Sequence, residues 1–119
     1  MKIAVTATGT DLDAPMDPRF GRARYILIVD DETDAVEVMD NEKNVQAFKG
    51  AGIQAATAII DQGARVLLTG YCGPNAFKTL AAGEVKVVQD VAGTVRDAVA
   101  RFEQGTLAYS AEPNAEGHW

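Results

Sequence analysis

The chain alternates short β-branched apolar runs with longer stretches of helical period. Residues Lys2–Ala7 form an apolar run interrupted only by Thr6, which marks a strand covered on both faces. Residues 25–29 repeat that pattern. Residues 35–39 alternate instead, with Val36 and Val38 on one side and Glu37 on the other, and predict a half-exposed strand. Only Asp30-Asp31-Glu32-Thr33-Asp34 separates the second run from the third, so those two strands pair as an antiparallel hairpin.

Beyond a loop at 40–52 the period lengthens. A helix is expected over 53–62, with Ile53, Ala56 and Ile60 on one face and Gly63 as its stop. A strand at 65–69 follows. A second helix runs over 74–82 with Phe77 and Leu80 inward, and Gly83 ends it. A short strand at 85–88 precedes a third helix. Thr94 is its N-cap, Asp97 lies three residues on, and Val95, Val99 and Phe102 share a face that ends at Gly105. Residues 1–104 thus form one domain, and 105–119, small and polar, form a flexible tail.

The order β-β-β-α-β-α-β-α predicts an α/β fold with a mixed five-stranded sheet. Right-handed crossovers make the later strands parallel, and the hairpin makes strand 2 antiparallel, in the order 3-2-1-4-5. The connections leaving strands 1 and 4 then diverge. Such a switch point holds ligands outside the carboxyl ends of the strands. The loops at 8–22, 40–52 and 69–75 converge there.

Composition narrows the ligand. The 119 residues carry a net charge of −6, which disfavours nucleic acid and anionic membrane as partners. No apolar run reaches membrane-span length, and the N-terminus enters a strand pattern directly. The single cysteine, Cys72, excludes an internal disulfide and fits a reducing, cytoplasmic setting.

Each converging loop carries candidate chemistry. In Tyr71-Cys72-Gly73-Pro74-Asn75, Pro74 suits the first helical position, and the amides that follow attract anions. Gly73 permits close backbone approach. The helix dipole is expected to lower the Cys72 thiol pKa; otherwise Cys72 is a small core filler. Lys49-Gly50-Ala51-Gly52 is either a short phosphate-like cradle or a flexible helix entry. Arg19 and Arg22 flank Gly21 and either face an anion or neutralise Asp11, Asp13 and Asp17. Those aspartates lack calcium-loop spacing, and the lone His118 completes no metal site or catalytic triad.

Taken together, the opening Met1-Lys2-Ile3-Ala4-Val5, Met16-Asp17-Pro18-Arg19-Phe20-Gly21-Arg22-Ala23 and Thr69-Gly70-Tyr71-Cys72-Gly73-Pro74-Asn75-Ala76-Phe77 resemble the dinitrogenase iron–molybdenum cofactor biosynthesis family. The resemblance covers residues 1 to about 104. It implies a ribonuclease-H-like, three-layer fold and a carrier or assembly role without catalysis. It also implies an anionic metal–sulfur cluster as ligand, with a donor or acceptor protein as partner. The short form with a polar tail implies a molybdenum–copper sulfide cluster; the iron–molybdenum cofactor or a precursor is the alternative. Arg19, Gly21, Arg22, Lys49, Gly50, Gly52, Gly70, Cys72, Gly73 and Asn75 would line its site, with Cys72 either a soft ligand or part of the wall. The only histidine lies in the tail, away from the core positions where some carriers are thought to place a histidine ligand. The first strand lacks the carboxylates of the fold's nucleases. From a different class, the Lys49-Gly50-Ala51-Gly52 start also admits a nucleotide- or phosphate-responsive binding module.

Overall fold

The computed structural model describes residues 1–42 and 50–114. Five strands form one sheet: β1 (Lys2–Ala7), β2 (Tyr25–Asp30), β3 (Val36–Asp40), β4 (Ala64–Leu68) and β5 (Lys86–Val88). Their order is β3-β2-β1-β4-β5. β2 is antiparallel to β1, with Lys2 opposite Asp30 and Ala7 opposite Tyr25, and antiparallel to β3, with Val29 opposite Val36. β1, β4 and β5 run parallel. Helices α1 (Ala51–Asp61), α2 (Pro74–Ala82) and α3 (Val95–Glu103) fill the outer layers. This is the sheet expected from the order of elements, in the ribonuclease-H-like, three-layer arrangement that the resemblance implies.

The two faces of the sheet bury different cores. Ala4, Ile26, Ile28 and Leu67 pack against Ala55, Ala56 and Ile59 of α1 and Ala76 and Leu80 of α2. Ile3, Val5, Leu27, Val29, Val66 and Leu68 pack against Val95, Ala98 and Val99 of α3. Period-two alternation along β1 places Ala4 in the first core and Ile3, Val5 and Ala7 in the second. By the same alternation Thr6 faces the α1/α2 side.

Local signals set the helix ends. The Thr94 side chain accepts a hydrogen bond from the Asp97 amide, as expected. Gly63, at φ 84°, takes the left-handed position after α1. Pro74 opens α2 and Gly83 caps it.

Three expectations change. First, α1 begins two residues early, and of its expected face Ala56 is buried and Ile60 packs partly against the core while Ile53 does not. Ile53 is exposed, while Ala55, Ala56 and Ile59 are buried, because small alanines let the helix approach the sheet closely. Second, Val38 is 45% exposed. Among the described residues α3 is the one helix on its side of the sheet, and Val38 stands on the edge strand β3. Third, the tail expected to be flexible is held as far as residue 114. The Ser110 amide donates to the Val87 carbonyl (2.7 Å), and the Gln89 amide donates to the Ser110 hydroxyl (3.0 Å). The segment thereby covers the β5 edge, where backbone groups seek partners. His118 lies outside the described residues.

Candidate functional site

The carboxyl ends of β1 and β4 are joined from beneath by two threonines. Thr6 Oγ1 donates to the Asp17 carbonyl (2.7 Å). It also lies 3.0 Å from Thr69 Oγ1. A hydroxyl has one proton, so Thr69 is the donor in that second bond. The pair clamps the loop leaving β1 to the loop leaving β4.

Above the clamp the loops pair directly. Tyr71 N–H donates to the Pro18 carbonyl (2.6 Å), and Phe20 N–H donates to the Tyr71 carbonyl (2.9 Å). This places Arg19 alongside Tyr71. A Cβ on Gly70 would sit 2.6 Å from the Pro18 carbonyl oxygen and 2.8 Å from its Cα. Only glycine permits that approach. The third loop joins on the other side. A Cβ on Gly21, at φ 92°, would meet Gly52 Cα at 2.8 Å, and one on Gly52 would meet the Ala76 Cβ at 3.0 Å. Gly21, Gly52 and Gly70, which the resemblance puts in the lining of the site, each serve the close packing of loop on loop.

The result is a rim of mixed donors. Gly50 and Gly73 are the N-caps of α1 and α2, and neither helix start has a side-chain cap. The first-turn amides at Ala51, Gly52, Asn75 and Ala76 give both starts a positive dipole end. Arg19 is half exposed. Its amide donates to Asp17 Oδ1 (3.0 Å), and its Nε lies 3.7 Å from the same oxygen. Arg22 follows Gly21 and is partly buried. Asp13, by contrast, pairs with Arg96 (2.9 Å), not with the loop arginines. The predicted Lys49 lies outside the described residues.

Of the two readings of Cys72, the structure follows the core filler. Its side chain is fully buried and belongs to the core cluster that includes Phe20, Ala55, Ala56 and Ala76. Burial pushes its thiol up to about 12, so the thiolate promised by the helix dipole does not form at neutral pH. Desolvation by burial sets the direction of this shift. Its nearest polar contact is the Gly73 carbonyl at 3.7 Å. Among the described residues, no group of three or more His, Cys, Asp or Glu side chains is placed to hold a metal ion.

Two asparagines carry contacts that hardly any sequence pattern singles out. Asn41, buried at the end of β3, donates from Nδ2 to the Gly21 (3.2 Å) and Ala23 (2.8 Å) carbonyls. Asn114 reaches the Cys72 loop from the tail. The signal for Asn41 was its place at a strand end; Asn114 had none, since pairing across 42 positions leaves no local pattern.

A ribonuclease-H-like sheet with glycine-rich loops meeting at its switch point, donor-rich and with no metal-ligand group among the described residues, defines a class of small binding domains. The chain belongs to the dinitrogenase iron-molybdenum cofactor family, whose model matches residues 1–105. It is similar to the orange protein of Desulfovibrio gigas, whose apo form is 50% identical over 96% of each chain, with a TM-score of 0.94. A NifB-like protein of the DUF35 family from Thermotoga is 34% identical over 98% of each chain, with a TM-score of 0.84. No curated protein matches the chain. The family supports a metal-cluster-binding role. No helix among the described residues is long and apolar enough to cross a membrane.

Proposed function

We propose that the protein is a non-catalytic carrier or assembly scaffold for an anionic metal–sulfur cluster, held at the β1–β4 switch point. The cluster is cargo. It is held by backbone amides and guanidinium groups rather than by protein ligands. The observation that carries this reading is the meeting of two helix starts without side-chain caps and the Arg19–Arg22 loop at one rim, above a cysteine that stays protonated. A preformed sulfide cluster brings its own ligands and needs only shape and opposite charge. A bare metal ion would need the ligand group that the described residues lack.

A molybdenum–copper sulfide is the favoured cargo. Its support is the resemblance to the short family form with a polar tail, joined to the 50% identity with the orange protein. The iron–molybdenum cofactor or a precursor is the alternative. Lys49, Gly50, Gly73 and Asn75 complete the proposed lining with Arg19 and Arg22, in a cytoplasmic protein that receives the cluster from, or passes it to, another protein.

The experiment is reconstitution. Apo-protein mixed with tetrathiomolybdate and copper under reducing conditions, then desalted, is expected to keep visible colour with both metals. A protein that stays colourless there and with iron–molybdenum precursors, yet is raised in melting temperature by a nucleotide, would instead be a phosphate-binding module.

A further inference from the structure

The tail ends its described course on the site. Asn114 Oδ1 accepts from the Cys72 amide (3.0 Å), while Nδ2 donates to the Gly70 carbonyl (2.9 Å) and to Asp90 Oδ1 (3.2 Å). Its own amide donates to Gln89 Oε1 (2.9 Å), and Gln89 Nε2 donates to the Glu112 carbonyl (2.6 Å). The side-chain amide thus bonds both flanks of Tyr71, as a neighbouring strand would. From the opposite side, Tyr71 is already bonded to Pro18 and Phe20. The loop is gripped from two sides, one of them by the segment that ends its described course at Asn114.

We infer that Asn114 is a positioning residue of the cluster site: it sets the Gly70–Gly73 loop, and through it the start of α2, and makes the tail a working part of the site. The inference rests on the proposed cluster-binding reading for its consequence, but its geometry does not. Three features argue for it. Asn114 uses its carbonyl oxygen and both N–H groups, which a merely passing tail residue would leave to water. It engages the Cys72 amide, so that donor belongs to the tail and the anion is left to the amides from Asn75 onward. The loop's other wall is fixed by glycine-dependent packing at Gly70, so movement can enter only from the tail side.

The full chain carrying Asn114→Ala, Asn114→Asp or Asn114→Gln tests this by two readouts. The first needs no cluster: the rate at which native Cys72 reacts with a disulfide reagent. Because the thiol lies directly under the gripped loop, Asn114→Ala is expected to raise that rate about tenfold or more with little change in melting temperature. Asn114→Asp keeps the acceptor for Cys72 but loses the donors and sets a carboxylate against Asp90. At neutral pH it is expected to behave like Asn114→Ala. Relative to wild type at the same pH, it recovers when acid restores a proton that can be donated. The second readout is affinity for the thiomolybdate–copper cluster, expected to fall about tenfold in Asn114→Ala, with partial return in Asn114→Gln. An unchanged thiol rate, or a faster thiol with unchanged cluster affinity, overturns the positioning role. A wild-type protein that binds no cluster overturns the carrier reading alone, and the thiol rates still decide whether Asn114 sets the loop.

Discussion

At the scale of single residues, the fate of Cys72 decides what kind of site this is. A thiolate at a helix start would ligate copper or iron; a protonated thiol in an apolar cluster fills space. Because the folded chain holds the thiol proton more tightly than the unfolded chain, whose thiol titrates near 9.0, this contribution is fully present below pH 9. It is lost as pH rises from 9 toward about 12. Denaturant unfolding of wild type beside Cys72→Ala at pH 8 and pH 10 is expected to show a steeper decline in wild type. Thr6 offers a second check. Thr6→Val leaves the Asp17 carbonyl and the Thr69 hydroxyl short of their partner, and is expected to cost about 1–3 kcal/mol in the same assay.

Elements answer to close approach more than to pattern. The sheet order, the hairpin, the capped start of α3 and the Pro74 start of α2 were all legible, because each rests on short-range chemistry or on chirality. The face of α1 was legible only in part, since Ala56 and Ile60 meet the core and Ile53 does not. Ile53, Ala56 and Ile60 have the right spacing, but the sheet accepts a helix through its alanines, and that choice depends on what lies opposite. Ile59→Ala is therefore expected to destabilise by about 2–5 kcal/mol, while Ile53→Ala stays within about 0.5 kcal/mol, both read from denaturant midpoints. The converging loops were also legible as a group, from topology alone. Their mutual contacts were not, since Gly21 against Gly52 and Gly70 against Pro18 depend on backbone separations that no local pattern encodes. Gly70→Ala places a Cβ into the Pro18 backbone and is expected to cost about 1–3 kcal/mol and weaken cluster retention together. The contacts of Ser110 and Asn114 were not legible, because polar, proline-containing sequence says nothing of a partner far along the chain.

The whole molecule resolves an apparent conflict: an acidic protein is proposed to hold an anion. Residues 30–42 contain seven carboxylates and no lysine or arginine, so with a net charge of −6 the remainder of the chain carries +1. Lys2 pairs with Asp30 and Ala7 with Tyr25, so Asp30, Asp31, Glu32 and Asp34 turn at the end of the sheet away from the site. The amino terminus sits 2.6 Å from Asp31. Asp40 and Glu42, nearer the site, are both paired with Arg24. The charge is thus spatially sorted, and the rim does not bear its full repulsion. Cluster affinity is expected to fall as salt rises, since the rim charges are partly exposed and screened. Affinity independent of ionic strength, measured by equilibrium titration, would contradict this arrangement.

The central claim is that charge and backbone amides, not the thiolate, hold the cluster. Its most direct test is the visible absorption and metal content retained after reconstitution with thiomolybdate and copper by three proteins: wild type, Cys72→Ala, and Arg19→Ala combined with Arg22→Ala. Cys72→Ala is expected to keep nearly the wild-type colour and metal, while the arginine pair loses most of both without unfolding. A colourless Cys72→Ala beside a fully loaded arginine variant would contradict it.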